Sequence, residues 1–203
     1  MTEPAPEAEA TAPRTGKMVV ISGPSGTGKT TVCHRLLEDP DVTLSVSATT
    51  RSRRSGEEDG VHYHFLDRDR FLARVGRGDF AEYAEYNGHL YGTPRGPLEE
   101  ALAKGRTVLL DIDVQGAAQL RKLYPQAVYI FLDAPDRAAA QARLERRNTE
   151  TPEERCRRIN AAERERAVGR DHFDYHVIND DLDETVDQIR SLISGGDAGG
   201  TSL

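Results

Sequence analysis

Gly23-Pro24-Ser25-Gly26-Thr27-Gly28-Lys29-Thr30 is the segment best equipped for chemistry, and it fits the spacing G-x-x-x-x-G-K-[ST] at every position. Glycines let successive backbone N–H groups converge on an anion, and the start of a following helix adds a favourable field. In such a loop the lysine, Lys29, reaches the β- and γ-phosphates of a nucleoside triphosphate. The hydroxyl of Thr30 then holds Mg²⁺. An apolar run, Met18 to Ser22, precedes the loop and a helical pattern follows it, which is the context this chemistry requires. The motif points to ATP or GTP and says nothing about the reaction.

A second acidic element lies further along. Asp111 and Asp113 close the apolar run Val108 to Ile112. Residues two apart on a strand share a face, and ligands in parallel sheets bind at the carboxyl ends of strands. One carboxylate can then face a Mg²⁺ shell and the other a substrate; taken alone, the pair reads equally as solvated turn residues. Arginine is also concentrated, at Arg51, Arg53 and Arg54 and again from Arg143 to Arg170. With a net charge of −7 and a pI near 5.4, such clusters suit a grip on a small polyanion rather than a nucleic-acid sheath. Seen in isolation, Arg51 to Arg54 is as readily an exposed basic turn.

The elements that must position these groups can be read from the apolar pattern. Arg106 to Ile112, Ala127 to Leu132 and Tyr175 to Ile178 are strand-like. Helical stretches run from about Thr30 to Leu37, from Pro135 through Arg147, and from Leu182 to Ser194. Thr151, Pro152 and Glu154 form a capping box that opens one more helix. Strands alternating with helices predict an α/β fold with a parallel sheet. Between Ser45 and Pro97 the rhythm changes to short runs such as Val61 to Leu66, as expected of a small, partly antiparallel insertion. The chain's 203 residues, 37% hydrophobic and 30% charged, suit one globular domain. No apolar run is long enough to span a membrane. The Ala/Glu/Pro/Thr-rich start and the Gly-rich end are expected to be disordered tails. Cys33 and Cys156 carry no metal or redox spacing, which fits inert thiols in a reducing, cytoplasmic setting. His62 and His64 flank Tyr63 without a third ligand and read as surface packing.

Inside the insertion the order of residues becomes specific. Ser45-Val46-Ser47-Ala48-Thr49-Thr50-Arg51-Ser52-Arg53-Arg54, then Gly56-Glu57 and Gly60-Val61-His62-Tyr63-His64-Phe65, closely resembles the monophosphate-binding signature of guanylate kinases. The likeness continues through Glu82, Gly88 to Pro94, Asp111 to Gly116 and Val177 to Asp181, and so covers nearly all of Met18 to Ser194. It implies a P-loop kinase fold: a central parallel sheet flanked by helices, a GMP-binding insertion at about 45–97 and a helical lid at about 141–160. Residues 1–16 and 195–203 fall outside it as tails.

The resemblance also implies roles. Arg51, Arg54, Tyr63 and Tyr91 match the positions that hold the GMP phosphate, where guanidinium forks and phenol donors suit a doubly charged group. Ser47, Glu82, Thr93 and Asp113 match those that face guanine, leaving Asp111 to the Mg²⁺ shell through water. Either Glu82 or Glu85, within Phe80 to Tyr86, could simply face water, and Tyr63 and Tyr91 could simply pack a β surface. Arg143, Arg147 and Arg158 match arginines that close over ATP; their alternative is pairing with Glu145, Glu153 and Glu154 on a solvated face. Asn148 and Ile159 depart from the usual residues there. Asn179 matches an adenine contact, against the alternative of a plain turn residue. The expected activity is transfer of the γ-phosphate of ATP to GMP, with Lys29, Arg51 and the three lid arginines stabilising the moving group. Two alternatives are a non-catalytic binding module of the same fold and a P-loop kinase of a phosphorylated sugar. The residues specify no oligomeric state.

Overall fold

The computed structural model describes residues 16–145, 165–166 and 172–195. Arg147, Arg158, the capping box at Thr151, Cys156 and nearly all of both tails lie outside them. No described helix is long and apolar enough to cross a membrane.

β1 (Lys17–Ser22) is central. It pairs in parallel with β7 (Thr107–Asp111) on one side and β8 (Val128–Asp133) on the other. The edges are β2 (Val42–Leu44) and β9 (Tyr175–Ile178), so the order is β2-β7-β1-β8-β9. Buried on both faces, the inner strands β1, β7 and β8 read as continuous apolar runs. Their side chains nevertheless divide with period two. Val19, Ile21, Leu109, Ile130 and Leu132 face α1 (Lys29–Leu36) and α6 (Leu182–Ser194). Met18, Val20, Val108, Leu110 and Tyr129 face the opposite layer, formed by α3 (Arg95–Ala103) and α4 (Val114–Leu123). α5 (Arg137–Glu145) follows β8.

The insertion forms a second sheet in the order β4-β3-β6-β5, from β3 (Ala48–Thr49), β4 (His64–Phe65), β5 (Phe80–Tyr86) and β6 (His89–Pro94). β3 pairs in parallel with β4 and antiparallel with β6, so the sheet is partly antiparallel as expected. α2 (Arg68–Gly76), capped by Asp67, closes its small core, in which Phe71 is fully buried and stacks on Phe80 with centroids 4.6 Å apart. α4 is tied to this sheet by Gln119. Its amide nitrogen donates to the Tyr83 carbonyl at 2.8 Å, and its oxygen accepts from the Tyr83 N–H at 3.4 Å.

β2, α2, α3 and α4 lie where the sequence reading marks no element. The three-residue β2 is half-buried and follows Asp39-Pro40, too short for any periodicity to show. α2 buries one residue, Phe71, among four charged ones, so its apolar stripe is narrow.

Replacing Phe71 by Ala is expected to cost about 3–5 kcal/mol of unfolding free energy, read from urea transitions. Amide exchange should quicken in β5 and β6 before it does in β1 and β7.

Candidate active site

The phosphate loop leaves the carboxyl end of β1 and enters α1 at Gly28, the N-cap, with φ +92°. A left-handed residue is needed there, and a Cβ would stand 2.4 Å from the Asn179 amide nitrogen. Within the loop, the Thr27 hydroxyl donates to the Pro24 carbonyl at 2.9 Å. Lys29 Nζ donates to the carbonyls of Gly23 and Pro24. The Ser25 and Tyr86 hydroxyls are 3.2 Å apart, joining this loop to the end of β5.

Asp111 ends β7 level with Ile21 of β1, which sets it beside the start of the loop. Asp113 caps α4: its Oδ1 accepts from the N–H groups of Gln115 and Gly116 at 2.7 and 2.9 Å. Asp111, Asp113 and Thr30 all border the same cleft.

Across that cleft stands the arginine pair. The Thr49 hydroxyl accepts from the Arg51 N–H at 3.1 Å, turning the chain out of β3. The Arg51 guanidinium then forms a two-pronged pair with Glu57, at 2.7 and 3.0 Å, and lies over the Tyr63 ring, 5.4 Å from its centroid. Glu57 also accepts from the Arg54 backbone N–H at 2.8 Å. The Arg51 hydrogen bonds are the main reason that the Glu57 carboxyl lies below the ordinary carboxylate range. Tyr63 meets Tyr91 edge to face at 6.0 Å, and burial pushes the Tyr63 phenol up, so it stays a donor at any working pH. Glu57 had no role in the sequence reading. Its signal was there, an acid six residues after Arg51 inside the quoted signature.

Glu82 and Glu85 are three apart on β5 and face opposite ways. Glu82 is 5% exposed and Glu85 faces solvent, which decides between them. A register shift between Phe80 and Glu82 brings Glu82 opposite Thr93 of β6. The Thr93 hydroxyl donates to Glu82 Oε1 at 2.6 Å. Gly116 of α4 allows this, because a Cβ there would lie 2.5 Å from Glu82 Oε2. Burial raises the Glu82 carboxyl to about 7; the Thr93 hydrogen bond pulls it down in part and the charge of Asp113 adds to the rise.

Arg143 Nη1 reaches the carbonyls of Asn179 at 2.9 Å and Thr27 at 3.3 Å. Arg166, also unmarked by the sequence reading, grips both Asp133 oxygens at 2.9 and 3.0 Å, at the end of β8.

The cleft has a volume of about 990 Å³ and is lined jointly by the phosphate loop, Ser47, Arg51, Arg54, Tyr63, Glu82 and Tyr91. One cavity therefore joins an anion cradle to a basic, phenolic corner with a buried carboxyl beside it. The guanylate kinase family model matches residues 15–195. The chain belongs to the guanylate kinase family. The guanylate kinase of a Chelativorans species is 50% identical over 188 residues, covering 91% of this chain and 85% of that protein. The guanylate kinase of Carboxydothermus hydrogenoformans is 42% identical over 180 residues, 88% of each chain. Among solved structures, the crystal structure of guanylate kinase from Anaplasma phagocytophilum aligns with a TM-score of 0.73 at 34% identity, over 90% of this chain and 86% of that one. The match to guanylate kinases thus spans the insertion as well as the parallel sheet.

The raised Glu82 carboxyl has a consequence for stability. Unfolded, this carboxyl ionises near 4.5; folded, near 7. Its neutral form stabilises the fold fully below about pH 4.5, and that contribution fades as pH rises through about 7. Glu82→Gln keeps a Thr93 acceptor without the charge. It should unfold at wild-type urea concentrations at pH 4.5 but be more stable by about 3 kcal/mol at pH 8. Equal stability at both pH values would refute the assignment.

Proposed function

We propose that this chain catalyses transfer of the γ-phosphate of ATP to GMP, giving ADP and GDP. The observation that carries this reading is Glu82, a carboxyl buried on the wall of the cleft that also holds the phosphate loop. Guanine presents N1–H and N2–H₂ side by side, and an ionised Glu82 accepts both. Adenine has no donor at N1 and would leave the carboxylate unpaired, a mismatch that hydrogen-bonding sites reject by about 10⁴–10⁵. Ser47 and Asp113 complete the guanine edge, and the buried Thr93 supports it through Glu82. Arg51, Arg54, Tyr63 and Tyr91 take the GMP phosphate. Glu57 holds the Arg51 fork on one side, so its remaining N–H groups are aimed before the substrate arrives.

On the donor side the loop from Gly23 to Thr30 cradles the triphosphate and Lys29 leaves its loop carbonyls for the β- and γ-phosphates. The Thr30 hydroxyl and Asp111 carboxylate, oxygen donors at the cleft wall, suit a hard divalent ion. Mg²⁺ bound with ATP, with Asp111 acting through water, would neutralise phosphate charge. An ionised phosphate oxygen of GMP attacks the γ-phosphorus in line. A P–O bond forms there as the bond to the β–γ bridging oxygen breaks, and ADP leaves with that electron pair. The nucleophile is already charged, so no general base is required, and the protein's work is positioning and neutralisation. Arg143, Arg147 and Arg158 would add charge over the migrating group. The thiol usage supports a cytoplasmic setting.

The binding-module alternative fits less well, since Lys29, Thr30 and Arg143 remain and line up at an intact loop. A sugar-phosphate kinase would not need the Glu82–Thr93 pair.

ADP release coupled to NADH oxidation should show turnover with GMP at least 10³-fold above AMP, UMP or dTMP in kcat/KM; comparable turnover with AMP would end the guanine argument. In the same assay Glu57→Gln should raise KM for GMP about tenfold, the order of a lost charge-assisted hydrogen bond, and leave KM for ATP unchanged. Below about pH 7, KM for GMP should climb more steeply in wild type than in Glu82→Gln, because only the wild-type side chain titrates there alongside the GMP phosphate.

A further inference from the structure

Asn179 follows β9, and the family resemblance assigns it to adenine. Its surroundings give it a further task. The residue is 5% exposed and does not border the cleft. Its Nδ2 donates to the Thr27 carbonyl at 2.7 Å, and its Oδ1 rests 3.3 Å from the Thr185 hydroxyl in the first turn of α6. Its backbone is fixed as well: the N–H donates to the Asp133 carbonyl at 2.8 Å, and the carbonyl accepts from Arg143 Nη1 at 2.9 Å. The Nδ2 donor is committed to Thr27, which leaves Oδ1 as the acceptor of this side chain.

The bond to Thr27 has a directional effect. In a trans peptide the C=O and the following N–H point opposite ways, and the chain contains no cis peptide among the described residues. Asn179, with Arg143 behind it, holds the Thr27 carbonyl toward the β9–α6 corner. The same peptide plane therefore turns the Gly28 N–H the other way, and Gly28 borders the cleft. Gly28 packs directly on the Asn179 amide, with no room for a Cβ between them.

We propose that Asn179 is a positioning residue of the phosphate loop, which orients the Gly28 N–H toward the triphosphate of ATP. This rests on the ATP:GMP kinase reading above and adds one residue role to it. The consequence is that Asn179 acts on any polyphosphate, whatever base it carries.

Asn179→Asp is nearly the same shape but sets an acceptor against the Thr27 carbonyl; Asn179→Ala removes the donor altogether and serves if the Asp variant does not fold. Calorimetry with magnesium tripolyphosphate, which has no base, is compared with ATP and GMP titrations. The expected result is about tenfold weaker tripolyphosphate and ATP binding, and GMP affinity within twofold of wild type. Weakened ATP with unaltered tripolyphosphate would overturn the proposal in favour of base reading. Equal weakening of ATP and GMP, or no effect on either, would overturn it too. Failure of the kinase reading itself would show separately, as wild-type protein that does not phosphorylate GMP.

Discussion

Two parallel pairings of one strand, β1 with β7 and β1 with β8, decide where chemistry can occur. A parallel ladder puts every carboxyl end on the same edge of the sheet. Consequently the phosphate loop, Asp111, Asp133 and Asn179, which follow or end four different strands, are neighbours along one rim. Apolar packing on both faces makes the arrangement stiff, because a slip of one residue would turn the period-two side chains of β1 to the wrong layer. The insertion hangs from this rim between β2 and α3, with its own small core around Phe71. Its cleft-facing side meets the loop, and the Ser25–Tyr86 contact marks where the two halves touch.

Charge is handled differently in the two halves. The loop offers backbone dipoles, which cost nothing to ionise and carry no counter-charge. The insertion instead uses full charges under partial burial, and each has a fixed companion: Glu57 for Arg51, Thr93 for Glu82. Removing one member of such a pair exposes the burial cost of the other. Glu82 is the extreme case, a carboxyl whose environment opposes its own ionisation. In the proposed guanine-binding role, a ligand with two adjacent donors would favour its ionised form, so affinity for guanine and stability of the empty protein would pull against each other.

Much of this was legible in the sequence, and for identifiable reasons. β1, β7 and β8 are buried on both faces, so their apolar runs are unbroken; α6 has a clear stripe and an Asp181 cap. The phosphate loop is a contiguous motif and needs no tertiary knowledge. α2 was hidden because one buried phenylalanine among arginines makes only a narrow stripe, and β2 because three half-buried residues make no period. Within the site, individual residues were named but their geometry was not. The choice between Glu82 and Glu85 turns on a strand register that a bulge shifts. The Arg51–Glu57 pair depends on a turn that folds six residues back on themselves. The surroundings of Asn179 come from α5 and α6, remote in sequence from the loop they touch.

The Gln119 side chain has an effect beyond joining α4 to the insertion. β5 is an outer strand of its sheet, and outer strands offer unmet backbone donors and acceptors on which another polypeptide can template itself. At Tyr83 both groups are taken by one carboxamide. The helix thereby imitates the next strand for the length of a single residue, and the sheet is closed to intermolecular growth at the middle of its longest strand. That safeguard against self-association is built from a side chain that does not line the cleft.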